Sequence, residues 1–359
     1  MRRFLTILLL LFTVSVQEVT AVSLPPELAD GADRELVSAA EDTASDAAHF
    51  TSGLLRLFER LRPELGVALK KGVKTAMLQV LIVLIAGIGG DLIGAAGGEG
   101  SVDPAPMAAV LAISALAVSN MDGLMRSCVS LLTELGAFAD SLLPVLAAAV
   151  AATGAVSAAA TEQVVTAWVS SMMIRALNSF LPALVFSFVA LLSASASLGD
   201  ARLKKFAMAM KKGIGLCLTA VVSVFSIYLS LTHILSGGTD AMSVRLTKAA
   251  LSSAVPVVGT IISDTAETVL AGAGMMRNAI GVFGLLTVIS LCALPFFSLL
   301  FQYLAYRVAA LASSAVEGGR LSDYLEEMSG AYSLMLGMVG SAALMLFVSI
   351  FASMAVMTV

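Results

Sequence analysis

Residues 73–96 read VKTAMLQVLIVLIAGIGGDLIGAA, with Lys74 near one end and Asp91 near the other. At about 1.5 Å per residue, a helix of this length crosses a hydrocarbon core about 30 Å thick. The rest of the chain repeats the pattern. It is 58% hydrophobic and only 13% charged, against about 45–50% and about 25% in soluble domains. One water-soluble core could not hide that much apolar surface, so lipid is the expected solvent. Ala, Val, Leu, Met and Gly dominate, and small residues in apolar runs suit close helix packing in a bilayer.

Working outward, residues 107–119 are apolar but short for a span. Asn120, Asp122 and Arg126 interrupt before residues 128–139 resume. This predicts a broken helix or a re-entrant hairpin, tolerated at membrane depth only where protein or a cavity shields the backbone. Residues 142–160 form another candidate span. Residues 164–177 are amphipathic, with Trp168 and Arg175, and residues 180–198 span again. A basic stretch follows: Arg202, Lys204, Lys205, Lys211 and Lys212. Residues 214–235 span next. Residues 255–262 are short and apolar, Asp264 and Glu267 interrupt, and Arg277 closes the run. Residues 279–301 span, 303–315 read as interfacial, 320–327 as a charged loop and 331–356 as the last span. The expected fold is an all-α polytopic membrane protein with roughly six to eight transmembrane helices, some broken or re-entrant.

The N-terminus reads as a signal peptide over residues 1–23. Arg2 and Arg3 form a basic n-region, residues 4–16 an apolar h-region, and Ala21 and Ser23 the small residues of a cleavage site. The alternative is an uncleaved anchor. Residues 24–72 are then an extracytoplasmic segment, acidic at first. It becomes a basic amphipathic helix in which Leu54, Leu57, Phe58, Leu61 and Leu65 recur at helical steps. That helix suits a membrane surface or the flank of the bundle.

The order of features recurs about 140 residues later, which points to an internal duplication, 73–198 and 199–359, of the kind many transport folds show. Lys70-Lys71-Gly72 echoes Lys211-Lys212-Gly213, Gly97-Gly98 echoes Gly237-Gly238, and Asp122 echoes Asp264. Coincidence among Ala/Val/Leu-rich helices is the plain alternative. A cleaved signal and a cytoplasmic Arg202–Lys212 stretch hold together if the repeats are inverted.

Asp91, Asp122, Arg126, Asp264, Glu267 and Arg277 are the candidates for an intramembrane polar pathway, with Glu134 and Asp140 beside them. A charge at bilayer depth costs a few kcal/mol, so these residues face water or partners. They line a path, or pair internally as Asp122 and Arg126 would at i, i+4, or lie at the interface. Asp122 and Asp264 are expected to meet near a pseudo-two-fold axis. Pro256 and Gly259 are expected helix breaks and Pro295 an expected kink.

Catalytic chemistry finds no footing. No Walker A loop, HExxH, GxSxG or CxxC occurs. Gly87-Ile88-Gly89-Gly90 follows no strand and suits packing or a turn. Cys128, Cys217 and Cys292 read as small buried hydrophobes, and His49 and His233 have no ligand-spaced companion. No cofactor is expected. A net charge of −4 gives no reason to expect nucleic acid; the expected partner is the lipid bilayer.

The C-terminal half carries a more particular order. Residues 240–251 lead into Pro256-Val257-Val258-Gly259, then Ser263-Asp264. Arg277-Asn278-Ala279-Ile280-Gly281 opens a span, Leu294-Pro295 sits inside it, and Tyr306-Arg307 follows. This run resembles the stage III sporulation protein AE family of endospore-forming bacteria. The resemblance covers most of the chain from about residue 54 to the end. It implies a mother-cell membrane protein facing the engulfed forespore, within a channel-like apparatus sometimes called a feeding tube. It implies other stage III A-type proteins and a forespore-membrane protein as partners. It implies a part in forespore maintenance and late gene expression. From the residues themselves, a stand-alone permease and a purely structural membrane scaffold stay open beside a channel subunit.

Overall fold

Long apolar runs, broken by few Gly-Gly or Pro-rich punctuations, fold as six long helices. The computed structural model describes residues 47–96, 104–152, 157–236, 259–316 and 319–355. The helices are α1 (Ala47–Ala96), α2 (Pro104–Ala152), α3 (Ser157–Leu198), α4 (Ala201–Ser236), α5 (Gly259–Val316) and α6 (Arg320–Ala355). Each contains a stretch long and apolar enough to cross a membrane. The described residues are thus all-α, with six candidate spans among them, at the low end of the expected number.

The turn chemistry is local and explicable. Gly199 ends α3 in the left-handed region (φ 69°), donating its N–H to the Ser195 carbonyl at 2.9 Å. Only glycine adopts that conformation cheaply. Asp200 then caps α4, its carboxylate accepting the Arg202 N–H at 2.7 Å.

Contacts between helices fix their directions. Gly72 of α1 lies against Phe301 of α5, and Thr75 against Gln302, so these two helices run parallel. On α5 and α6, Gly281 lies against Met354, Gly284 against Ile350, and Tyr306 stacks on Tyr332, which is antiparallel order. Ser114 of α2 and Ser193 of α3 both bond to the Tyr324 hydroxyl, at 2.7 and 3.1 Å. At the other end Leu142 packs near Gly284, and Phe138 meets Phe283. The helices therefore alternate up and down. The most enclosed spans are those of α5 and α6, and the least enclosed is that of α4. A continuous core of Leu, Ile, Val, Met and Phe side chains, with Phe188, Phe225 and Phe283 fully buried, joins all of them.

Two sets of ion pairs bracket an apolar band. At one end are Lys204–Asp323, Lys211–Glu327 and Arg307–Glu326, each at 2.6 Å. At the other is Arg175 with Asp140, and the Asp140 carboxylate also accepts from the Ser171 hydroxyl at 2.6 Å. Between them α5 has no charged residue from 279 to 306, α6 none from 328 to 354, and α3 none from 176 to 198. This band has the length of a bilayer core.

Two local expectations change, and one choice between alternatives is decided. Residues 107–139 are not a broken or re-entrant element: α2 runs straight through Asn120, Asp122 and Arg126. Asp264 and Glu267 likewise sit within one continuous helix, α5, which also absorbs the run read as interfacial, 303–315. Of the two readings of the basic amphipathic segment, the structure supports the one on the flank of the bundle. The segment is the first half of α1, with Leu57 buried and Gly72 against α5. The physical reason is shared: charges placed on one side of a helix leave its backbone ladder intact, and neither Asp nor Arg breaks a helix as Pro or Gly does.

Candidate functional site: a polar face at bilayer depth

α2 has two faces of opposite character. Its inner face buries Met121, Met125, Cys128, Leu132, Leu135 and Leu142, spaced by three and four residues. Its outer face exposes Ser119, Gly123, Arg126, Ser127, Ser130, Thr133 and Glu134. This is the pattern of a helix with water or protein on its outer side. Depth makes it unusual. Ser114 stands level with Tyr324, and Leu142 level with Ile350. Asp122, Arg126 and Glu134 therefore lie within the band where α3, α5 and α6 carry no charge. Residues 118–139 rise about 33 Å, the full thickness of a bilayer core.

The charges on this face are partly partnered. Asp122 and Arg126 pair at 2.8 Å, although the Arg126 side chain is 80% exposed and that of Asp122 49%. The Ser130 hydroxyl donates to Glu134 at 2.9 Å. Asn178 of α3 donates to the Thr133 hydroxyl at 3.0 Å, extending the polar strip onto the neighbouring helix. An exposed i, i+4 pair is worth only a few tenths of a kcal/mol in water. In lipid it does not remove the cost of carrying each charge to mid-depth, about 2.5–3.5 kcal/mol per residue on the insertion scale. The first half of α1 adds exposed Glu64, Lys70, Lys71 and Lys74, at the depth of the charge-free part of α5 that faces Gly72.

Of the other sequence candidates, Asp91 is in the last turns of α1, and Asp264, Glu267 and Arg277 are in the first half of α5. Their side chains fall outside the described residues, so the expected meeting of Asp122 with Asp264 does too. Gly259 is the first residue of α5, Pro256 lies outside the described residues, and α5 continues through Pro295. Among the described residues no group of three His, Cys, Asp or Glu side chains gathers to hold a metal.

Comparison with known proteins bears out the family resemblance. The family model described as stage III sporulation protein AE matches residues 49–357. The chain belongs to the stage III sporulation protein AE family. It is similar to the stage III sporulation protein AE of Bacillus subtilis (strain 168), 23% identical over 237 residues. That alignment covers 66% of this chain and 59% of the relative, less than two thirds of the relative's length. No solved structure matches. Family and fold together make this a multi-pass membrane protein of sporulation.

This family member also holds a buried polar seam that sequence reading missed. Gln79 of α1, Gln302 and Tyr306 of α5, and Tyr332 of α6 are all buried. The Gln302 amide reaches the Thr75 hydroxyl at 3.4 Å, and the Tyr306 and Tyr332 rings lie 5.0 Å apart. Tyr306 stands close to both Gln79 and Tyr332, yet no hydrogen bond of ordinary distance and angle reaches either amide atom of Gln79 or the hydroxyls of Tyr306, Tyr332 and Ser313. A signal existed: Gln79 is the polar residue in the middle of the first apolar run, where a side-chain amide is expensive.

Proposed function

We propose that this chain is an integral membrane subunit of the channel-like, feeding-tube apparatus that links mother cell and forespore during endospore formation. It sits in the mother-cell membrane around the forespore. Other stage III sporulation A-type proteins and a forespore-membrane protein are its partners. It acts without catalysis, supporting forespore development and late gene expression. Family membership and the name of the Bacillus subtilis relative support the sporulation role.

The observation that carries the channel reading is the outer face of α2, charged and hydroxyl-bearing through the depth of a bilayer. Lipid covers such a face poorly; an aqueous path or an assembled partner covers it well. The alternating directions of the six described helices support an inverted repeat of 73–198 and 199–359, although α1 begins before the first half, at Ala47. The stand-alone permease reading uses the same face but requires activity without partners. The scaffold reading requires only that the charges pair.

The test is the heat-resistant spore titre of a deletion strain carrying Asp122→Asn with Arg126→Gln, with membrane abundance checked against wild type. The titre is expected to collapse by orders of magnitude at ordinary abundance. An unchanged titre contradicts the channel reading and favours a scaffold, since neutralising both members of a merely structural pair removes little.

A further inference from the structure

We infer that the outer face of α2 is covered by α2 of a second copy of this chain, related by rotation about the membrane normal. The inference rests on the membrane reading above and names the occupant of the face. Four observations carry it.

First, the face is charged at a depth where lipid is a poor neighbour. The Arg126 side chain is 80% exposed, and among the described residues its ion-pair partner is Asp122. Second, the charges are complementary under that rotation. A copy turned about the membrane normal keeps every residue at its own depth, so two α2 helices meet in parallel. Asp122 of each copy then stands one helical turn from Arg126 of the other. The 2.8 Å pair within each helix can be exchanged for two pairs between helices with no shift in depth. A lipid tail offers neither charge.

Third, the approach is open. Ala115, Ser119, Gly123 and Ser127 recur every fourth residue and are all exposed. A Cβ added at Gly123 would touch nothing within 4 Å. Small residues at this spacing let two membrane helices come close enough for hydroxyls and backbones to touch. Fourth, α4 presents an apolar exterior at this depth. The outer face of α4 carries Leu216, Val224 and Ile227, and Leu218 lies against Gly337 of α6 within the band. That face suits lipid, whereas the α2 face, like the charged first half of α1, does not.

The experiment is oxidative cross-linking in native membranes. The chain is expressed in a host that lacks all other sporulation proteins. Cys128, Cys217 and Cys292 are replaced by alanine, and single cysteines are introduced as Ser127→Cys, Ser119→Cys and, as the lipid-facing control, Leu216→Cys. Membrane abundance is checked for each. The expected result is a product of twice the chain mass from Ser127→Cys and Ser119→Cys, and none from Leu216→Cys. Adding Asp122→Asn and Arg126→Gln to the Ser127→Cys protein is expected to reduce that product several-fold. No dimer from either serine position at normal abundance overturns the proposal, and so does an equal yield from Leu216→Cys. Because the other sporulation proteins are absent, a negative result removes self-association alone. The channel-subunit reading stands or falls separately, on spore titre.

Discussion

A Gly72→Leu protein is expected to lose the seating of α1 on α5, and with it most of its membrane abundance. Gly72 is buried, and an added Cβ would stand 2.9 Å from the Phe301 Cβ and 3.3 Å from the Phe301 carbonyl oxygen. Part of the obstacle is backbone, which cannot swing aside. Two effects compete. Removing a glycine from a helix interior gains about 1 kcal/mol of helix propensity. Forcing a larger side chain into a close-packed contact costs about 1–3 kcal/mol, and more where the neighbour cannot move. For alanine the two nearly balance. For leucine the second wins, because three further carbons must enter the same gap. Helices in lipid have little hydrophobic drive to reassociate once held apart. The check is membrane abundance with the thermal midpoint of the detergent-solubilised protein. Gly66, where an added Cβ meets nothing, is the control, and Gly66→Leu is expected to be well tolerated.

Gln79→Leu is expected to change stability in the opposite direction. Both amide atoms of Gln79 are buried and no hydrogen bond of ordinary distance and angle reaches them, although Tyr306 stands close. A buried polar group left unsatisfied costs about 1–3 kcal/mol. Leucine has similar bulk and no polar atom, so the replacement removes that cost while keeping most of the packing. The thermal midpoint should rise. A fall would mean that Gln79 is satisfied in the membrane-embedded protein, through a rearranged contact with Tyr306 and Tyr332. If stability rises while spore titre falls, the seam is kept for function at a cost to the fold, which is a common trade.

The class of fold was readable from residues 73–96 and their counterparts, because length and apolarity alone decide whether a helix can cross a bilayer. Continuity was not readable in the same way. At Asp122 and Arg126 the cost of charge in lipid argued for a break, whereas the helix instead turns both residues outward and runs on. One-dimensional hydropathy counts charges along the chain and does not see that they share a face. The buried spacing Met121, Met125, Cys128, Leu132, Leu135 already carried that information. Asp122 and Arg126 were found as candidates from sequence. Ser119, Gly123, Ser127 and Ser130, which complete the face, were passed over because each is ordinary in an apolar run. The ion pairs of Lys204, Lys211 and Arg307 with α6 join residues on different helices, two of the three pairs more than a hundred positions apart. Only the packed bundle brings those partners together.

The central claim is that the α2 face lies at bilayer depth yet does not face lipid. The most direct measurement is the accessibility of a nitroxide attached at Ser130→Cys to lipid-soluble oxygen, compared with one at Leu216→Cys, in reconstituted membranes. Oxygen accessibility is expected to be markedly lower at 130 than at 216. Equal, high accessibility at both positions would place the α2 face against lipid and contradict it.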